Sequence, residues 1–257
     1  MIVHLSYHEQ AASPIEKTTV KVDNEHVTIE EPVADLIDKD AVRVSENNGD
    51  FGVMIIGESV RSVEALNKRL NEELKGIDPS KVKKLEFYSV NNLHSLDGIM
   101  SFPAVDYLIV HYGGINSVSW LRNFPNVKTV WLIGNKVASF EGFPELPHLE
   151  VLNIERIPAK SLKGIPALPA LTQLVAGGDS PLESIEDIPQ LPKLKEFWMS
   201  GCKLKSLKGI ENCPNVESLD IDDTNVSEAD ALEYSKKHPN CEIRFSNRSI
   251  KNGEYIR

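Results

Sequence analysis

Few residues of this chain combine the type and the spacing that chemistry needs. His4 and His8 stand four apart, as on a helix that turns two imidazoles toward one zinc ion. No helical pattern, no suitably placed glutamate and no third ligand accompanies them, so they read as surface histidines. Asp220, Asp222 and Asp223 set two carboxylates on one face of an extended segment, which could attract calcium but reads more simply as a solvated acidic rim. Gly113-Gly114 and Gly177-Gly178 follow strand-like segments, as phosphate-cradling loops do, yet open no helix and are expected to be loose turns. A nucleophile would need a base and an orienting acid beside it. The one histidine with a candidate position is His111, whose neighbours are Tyr88 and Ile133 instead of a carboxylate. The sequence therefore predicts no catalytic residue, no metal site and no cofactor.

Binding residues emerge from a period. Pro103, Pro125, Pro147, Pro169, Pro192, Pro214 and Pro239 each stand two residues before the same pattern, Leu/Val-x-x-Leu-x-Leu. Its copies begin at Val82, which lacks the proline, and at Val105, Val127, Leu149, Leu171, Leu194, Val216 and Cys241, in steps of 23, 22, 22, 22, 23, 22 and 25 residues. Such a period marks units that cannot bury an apolar face alone and must stack. If Leu-x-Leu points inward, the flanking residues project from a parallel sheet, because side chains alternate across a strand. The central outward column is then Glu86, Ile109, Trp131, Asn153, Val175, Trp198 and Asp220. Lys84, Tyr107, Thr129, Val151, Gln173, Glu196 and Ser218 run on one side of it, and Tyr88, His111, Ile133, Glu155, Gly177, Ser200 and Asp222 on the other. An exposed strand position has no packing reason to be tryptophan, and contiguous apolar surface marks an interaction site. The expected contact residues are Tyr107, Ile109, His111, Trp131, Ile133, Val151, Val175 and Trp198, with Glu196, Asp220 and Asp222 steering a basic region of the partner.

The elements that must position this face follow from the same pattern. In the copy from Val127, the core positions Val130, Leu132, Val137, Phe140, Phe143 and Leu146 are spaced first as a strand and then as a tight helical turn. Each proline is expected to stop that turn and to lead the chain into the next strand. Ahead of the repeats, 18–22 and 27–31 read as a β-hairpin and 42–45 with 51–56 as a second strand pair. Val63, Leu66, Leu70 and Leu74 share one helical face that ends at Gly76. At the other end, 227–238 reads as a longer helix capped by Ser227, and the tail as a closing hairpin.

Val130-Trp131-Leu132-Ile133-Gly134-Asn135-Lys136-Val137 resembles the Leu-x-Leu-x-x-Asn-x-Leu signature of leucine-rich repeats, with Gly113, Ile157, Asp179, Cys202 and Thr224 at the Asn position of other copies. The second half of each copy, as in 161–169, resembles the 22-residue subclass of phosphatase regulatory subunits and bacterial internalins. The resemblance, over roughly 82–245, implies an α/β leucine-rich-repeat solenoid of about seven to eight repeats. A curved parallel sheet would line its concave side and short helical or 3-10 turns its convex side. Residues 1–81 would form an α+β N-terminal cap of two hairpins and a helix, and 246–257 a C-terminal capping tail.

Composition narrows the function classes. Hydrophobic residues make up 41% of the chain and the net charge is −10, as in folded soluble proteins. Nine acidic residues against Lys39 and Arg43 between Asp23 and Asp50 would repel phosphate backbones, which disfavours nucleic acid. No run of 18 apolar residues occurs and the opening residues lack a signal-peptide pattern, so no membrane partner and a cytoplasmic location are expected, with secretion open for a chain that begins at a mature terminus. Cys202, Cys213 and Cys241 read as small core residues, not as a disulfide framework. The expected function is a non-enzymatic scaffold that binds another protein on its concave face, of inhibitor, regulatory or immunity type, with self-association left open. Two alternatives stand beside it. One is a secreted adhesin or effector that reads a host surface protein or glycan, in which the sequons at Asn225 and Asn247 would matter. The other is an enzyme acting through a pocket between Thr18 and Leu74.

Overall fold

The computed structural model describes residues 37–57 and 59–256. His4, His8 and the hairpin expected at 18–31 lie outside them. The described strands form one twelve-stranded sheet in which spatial order equals sequence order. Strands β1 (Val42–Asn47) and β2 (Asp50–Ile56) pair antiparallel through Asn48 and Gly49, whose φ angles of 52° and 84° fit a tight hairpin turn. Helix α1 (Val63–Glu73) then crosses over, so that β2 lies parallel to β3 (Val82–Tyr88). Its N-terminus is capped by the Ser62 hydroxyl, which accepts the Ala65 N–H at 3.1 Å, and Leu66 and Leu70 seat it on the core.

From β3 the pairing stays parallel through β4 (Tyr107–His111), β5 (Thr129–Trp131), β6 (Val151–Asn153), β7 (Gln173–Val175), β8 (Glu196–Trp198) and β9 (Ser218–Asp220). Helix α2 (Glu228–Lys237) replaces the last short turn and leads to β10 (Glu242–Phe245), still parallel. Strands β11 (Arg248–Lys251) and β12 (Glu254–Ile256) fold back antiparallel and finish the sheet. This open, mostly parallel sheet, stepped every 22 or 23 residues from β3 to β9, is a leucine-rich-repeat solenoid.

One repeat explains the rest. Val130, Leu132, Val137, Phe140 and Leu146 are at most 1% exposed and Phe143 is 7% exposed, so each copy feeds a continuous apolar core. Each such side chain contributes roughly 1.5–3 kcal/mol by leaving water. The proline does more than stop a turn. The carbonyl before it accepts the N–H three residues on, from Val105 to Phe102, Val127 to Phe124, Leu149 to Leu146, Leu171 to Leu168, Leu194 to Leu191 and Val216 to Cys213, at 3.1–3.4 Å. Proline therefore stands second in a β-turn, the position for which its fixed φ is suited.

Two further columns recur that the hydrophobic pattern does not announce. Ser95, Ser117, Ser139, Ser161 and Ser184 each accept, on the hydroxyl, the N–H two residues on, and so tighten the convex turns. Ser89, Tyr112, Gly134, Arg156, Gly178, Gly201 and Asp223 all have positive φ, between 51° and 73°, one per repeat at the carboxyl ends of the strands. The N–H of each of the first six donates to the next repeat, as Tyr112 does to Ile133 and Gly134 to Glu155, carrying the ladder one step past the strands. Bulk alternates along the middle of this column. The Tyr112 ring lies over Gly134, where a Cβ would come within 2.5 Å of it, and Arg156 lies against Gly178 in the same way at 3.2 Å.

The asparagine position is irregular for a visible reason. Asn135 donates from Nδ2 to the Val110 carbonyl at 2.6 Å, and a Cβ at residue 113 would come within 2.8 Å of its Oδ1, so Gly113 makes room for it. In the seventh copy, counting from Val82 by strands, Thr224 donates to Ile221. One copy shifts: the buried Ser180 donates to Ala176 at 3.0 Å and takes the position expected of Asp179, because that repeat is a residue longer. Nor are the paired glycines loose turns. A Cβ at Gly114 would strike the Asn91 carbonyl oxygen and one at Gly177 that of Ser200, so both mark close backbone approach.

Candidate protein-binding face

Parallel pairing in register puts Glu86, Ile109, Trp131, Asn153, Val175, Trp198, Asp220 and Arg244 in one row across the concave sheet. Alternation thus sets the facing of these side chains, but their depth differs. Trp198 is 37% exposed, and Tyr107, His111, Trp131, Ile133, Val151, Glu196 and Asp220 are half-buried. Ile109 and Val175, expected as contacts, are buried at 3% and 8% exposure. Each is the shorter side chain in a row where an in-register neighbour is tryptophan, about 4.8 Å away, so larger side chains close over it. Both support the face from beneath.

Asp222 is also withdrawn from the surface. It is 8% exposed, accepts the Asn247 N–H at 2.7 Å and pairs with the Arg244 guanidinium at 3.3 Å. Expected to steer a partner, it instead anchors the turn between β10 and β11. Asp220 accepts the Asp222 N–H at 3.0 Å and Glu196 the Gln173 amide at 2.6 Å, and both stay half-exposed.

The N-terminal half of the face is aromatic. His111 stacks on Trp131 with ring centres 5.8 Å apart and 9° between planes, while Tyr88 meets it edge-on at 5.4 Å. Tyr107 lies 5.9 Å from Trp131, and Tyr112, outside the expected set, lies 6.0 Å from His111. Tyr112 is half-exposed and its hydroxyl accepts Arg156 Nη1 at 2.9 Å, so the aromatic cluster runs from the sheet to its rim. No hydrophobic pattern singles out Tyr112, since it sits in the left-handed column. At that rim an open cleft of about 600 Å³ is lined by Gly134, Lys136, Arg156, Gly178 and Asp179 among others.

Two polar atoms in the cluster, Trp131 Nε1 and His111 Nε2, are buried without a hydrogen-bond partner. Burial holds the His111 imidazole below its ordinary range, against the pull of the Glu86 and Glu155 charges. The Tyr88 hydroxyl is pushed up to about 12 by burial and by its hydrogen bond to Glu86. The thiols of Cys213 and Cys241, both buried and free, are pushed up to about 12, chiefly by desolvation, and that of Cys202 is raised for the same reason. Such thiols have little thiolate character. Among the described residues no group of three or more histidines, cysteines or carboxylates is placed to hold a metal ion, and no helix is long and apolar enough to cross a membrane.

No protein-family model matches this chain, and no curated protein matches it. Among solved structures it is similar to an internalin of Listeria monocytogenes, at 14% identity over 64% of this chain and 54% of that one, with a TM-score of 0.46. It is also similar to a leucine-rich-repeat protein of Leptospira interrogans, at 16% identity over 65% of this chain and 62% of that one, with a TM-score of 0.25. The chain thus spans 54% and 62% of the length of these two structures.

Proposed function

We propose that this chain is a non-catalytic scaffold that binds another protein along its concave sheet. Trp131, Trp198, Tyr107, His111, Ile133 and Val151 make the contact, and Glu196 and Asp220 draw in a basic region of the partner. The observation that carries this reading is Trp198, 37% exposed on an inner strand where nothing in the fold requires an aromatic ring. The unpartnered indole N–H of Trp131 on the same row supports it, because a buried donor left unmade costs about 1–3 kcal/mol that a partner's acceptor or a ring movement on binding would relieve. On this reading β1, β2 and α1 close one end of the repeat core and β11 with β12 the other, while residues 1–36 of the cap expected over residues 1–81 lie outside the described residues. The 22-residue step and its likeness to phosphatase regulatory subunits suit an inhibitor, regulatory or immunity-type role in the cytoplasm.

An affinity capture from the native organism, comparing the wild type with a Trp131→Ala/Trp198→Ala double variant of unchanged circular dichroism, tests the reading. A protein held by the wild type and lost by the folded variant is the expected result. Equal retention by both proteins moves the binding site off the concave face and overturns it. Capture of no specific protein from the native organism would favour instead an adhesin or secreted effector that recognises a host surface protein or glycan.

A further inference from the structure

Glu86 opens the central row of the concave face as a buried carboxylate, 7% exposed. Its partners are the Tyr88 hydroxyl at 2.9 Å and the Lys84 ammonium at 3.1 Å. The two halves of that ion pair differ: the Lys84 side chain is 45% exposed and that of Glu86 is 9% exposed. The same ammonium lies 5.1 Å from the centre of the Tyr107 ring, with Trp131 tilted against that ring from the next strand. A carboxylate held out of water with one hydroxyl and no cation is unfavourable, and a cation over an aromatic face is favoured. The place is therefore built for a positive charge, while the charge it holds sits on a flexible stem that can swing into solvent at small cost.

The rest of the face has the complementary bias. From β3 to β10 its outward rows carry the carboxylates of Glu86, Glu155, Glu196, Asp220, Asp222 and Glu242 against the cations Lys84 and Arg244. Both cations are already paired, Lys84 with Glu86 and Arg244 with Asp222. Of the four remaining carboxylates none has a cationic partner within ion-pair distance among the described residues.

We infer that Glu86, Tyr88 and the Tyr107 ring form a docking point for a lysine or arginine side chain of the partner protein, and that Lys84 is a resident stand-in which the incoming cation displaces. This rests on the concave face being the binding surface. It adds that the surface is partly self-occupied in the free protein, and that Lys84 opposes binding despite lying within the site.

The test uses tetralysine as the probe, titrated into the nitrogen-15-labelled full chain while the Trp131 indole signal is followed. Lys84→Met is expected to bind the peptide about 1.5- to 5-fold tighter, the range that corresponds to an exposed ion pair. Glu86→Gln and, from the ring side, Tyr107→Leu are expected to weaken it. Glu141→Gln on the convex turn removes the same charge and is expected to change little. Unchanged or weaker binding by Lys84→Met would mean that Lys84 does not stand in the way of the incoming cation, and equal losses in Glu86→Gln and Glu141→Gln would mean attraction by bulk charge alone; either result would overturn the inference. Should Lys84→Met do nothing while the double tryptophan variant still loses its captured partner, the docking point fails and the binding face stands. Tighter peptide binding by Lys84→Met with full capture by the double variant would leave a cation site on a face that the partner does not use, and would overturn its assignment to the partner.

Discussion

At the scale of single residues, His111 couples the face to acidity. Its folded-state pKa lies below the ordinary value of 6.5, chiefly from burial, so between the two values the unfolded chain binds more protons than the folded one. Stability then rises with pH through that window and is lost as pH falls through 6.5 toward the folded value. Urea unfolding at pH 7.5 and 5.5 should show a larger loss for the wild type than for His111→Gln. Equal losses would mean that the imidazole is not held neutral. His111 was legible in the sequence as a residue of the face, because strand alternation is local. Its stacking on Trp131 was not, nor were the burial of Ile109, Val175 and Asp222, because depth depends on what stands on the neighbouring strands and on the β10–β11 turn.

At the scale of elements, the turn at the carboxyl end of each strand sets how closely repeats can stack. Gly177→Ala is expected to destabilise by about 1–3 kcal/mol or more, since its methyl group would meet the Ser200 carbonyl oxygen and only backbone movement could make room. Chemical denaturation measures this, with Ala176→Gly as a neighbouring substitution that removes bulk instead; no loss in Gly177→Ala would mean that the turn has slack. The strands and core turns were readable because Leu-x-Leu and the recurrent proline repeat one residue type at one step. The left-handed column escapes such reading, since serine, tyrosine, glycine, arginine and aspartate share a backbone conformation there and no side-chain chemistry. The serine column of the convex turns does repeat a single type, from Ser95 to Ser184, and was legible in principle. Its signal is a side-chain hydrogen bond to local backbone, which hydrophobic periodicity does not report.

At the scale of the whole molecule, contacts run between neighbouring strands in sequence order, so stability should be passed along the array and not shared evenly. Removing 246–257 takes away the buried Ile250, the hydrogen bond from Asn247 to Asp222 and the cover of the β10 edge. The last repeats are then expected to lose amide protection by hydrogen exchange while β3 to β6 keep theirs; uniform loss across all strands would show an all-or-none unit instead. The column in which Tyr112 overlies Gly134 and Arg156 abuts Gly178 also bears on how such an array can change length. Excising the 22 residues 134–155 would bring the tyrosine ring against Arg156, a side chain where the ring needs a vacancy. Excising the 44 residues 134–177 would set it over Gly178. In this part of the chain the quantum of duplication or loss is thus a pair of repeats, and relatives differing by one repeat there should carry a compensating exchange at residue 112 or at its new neighbour.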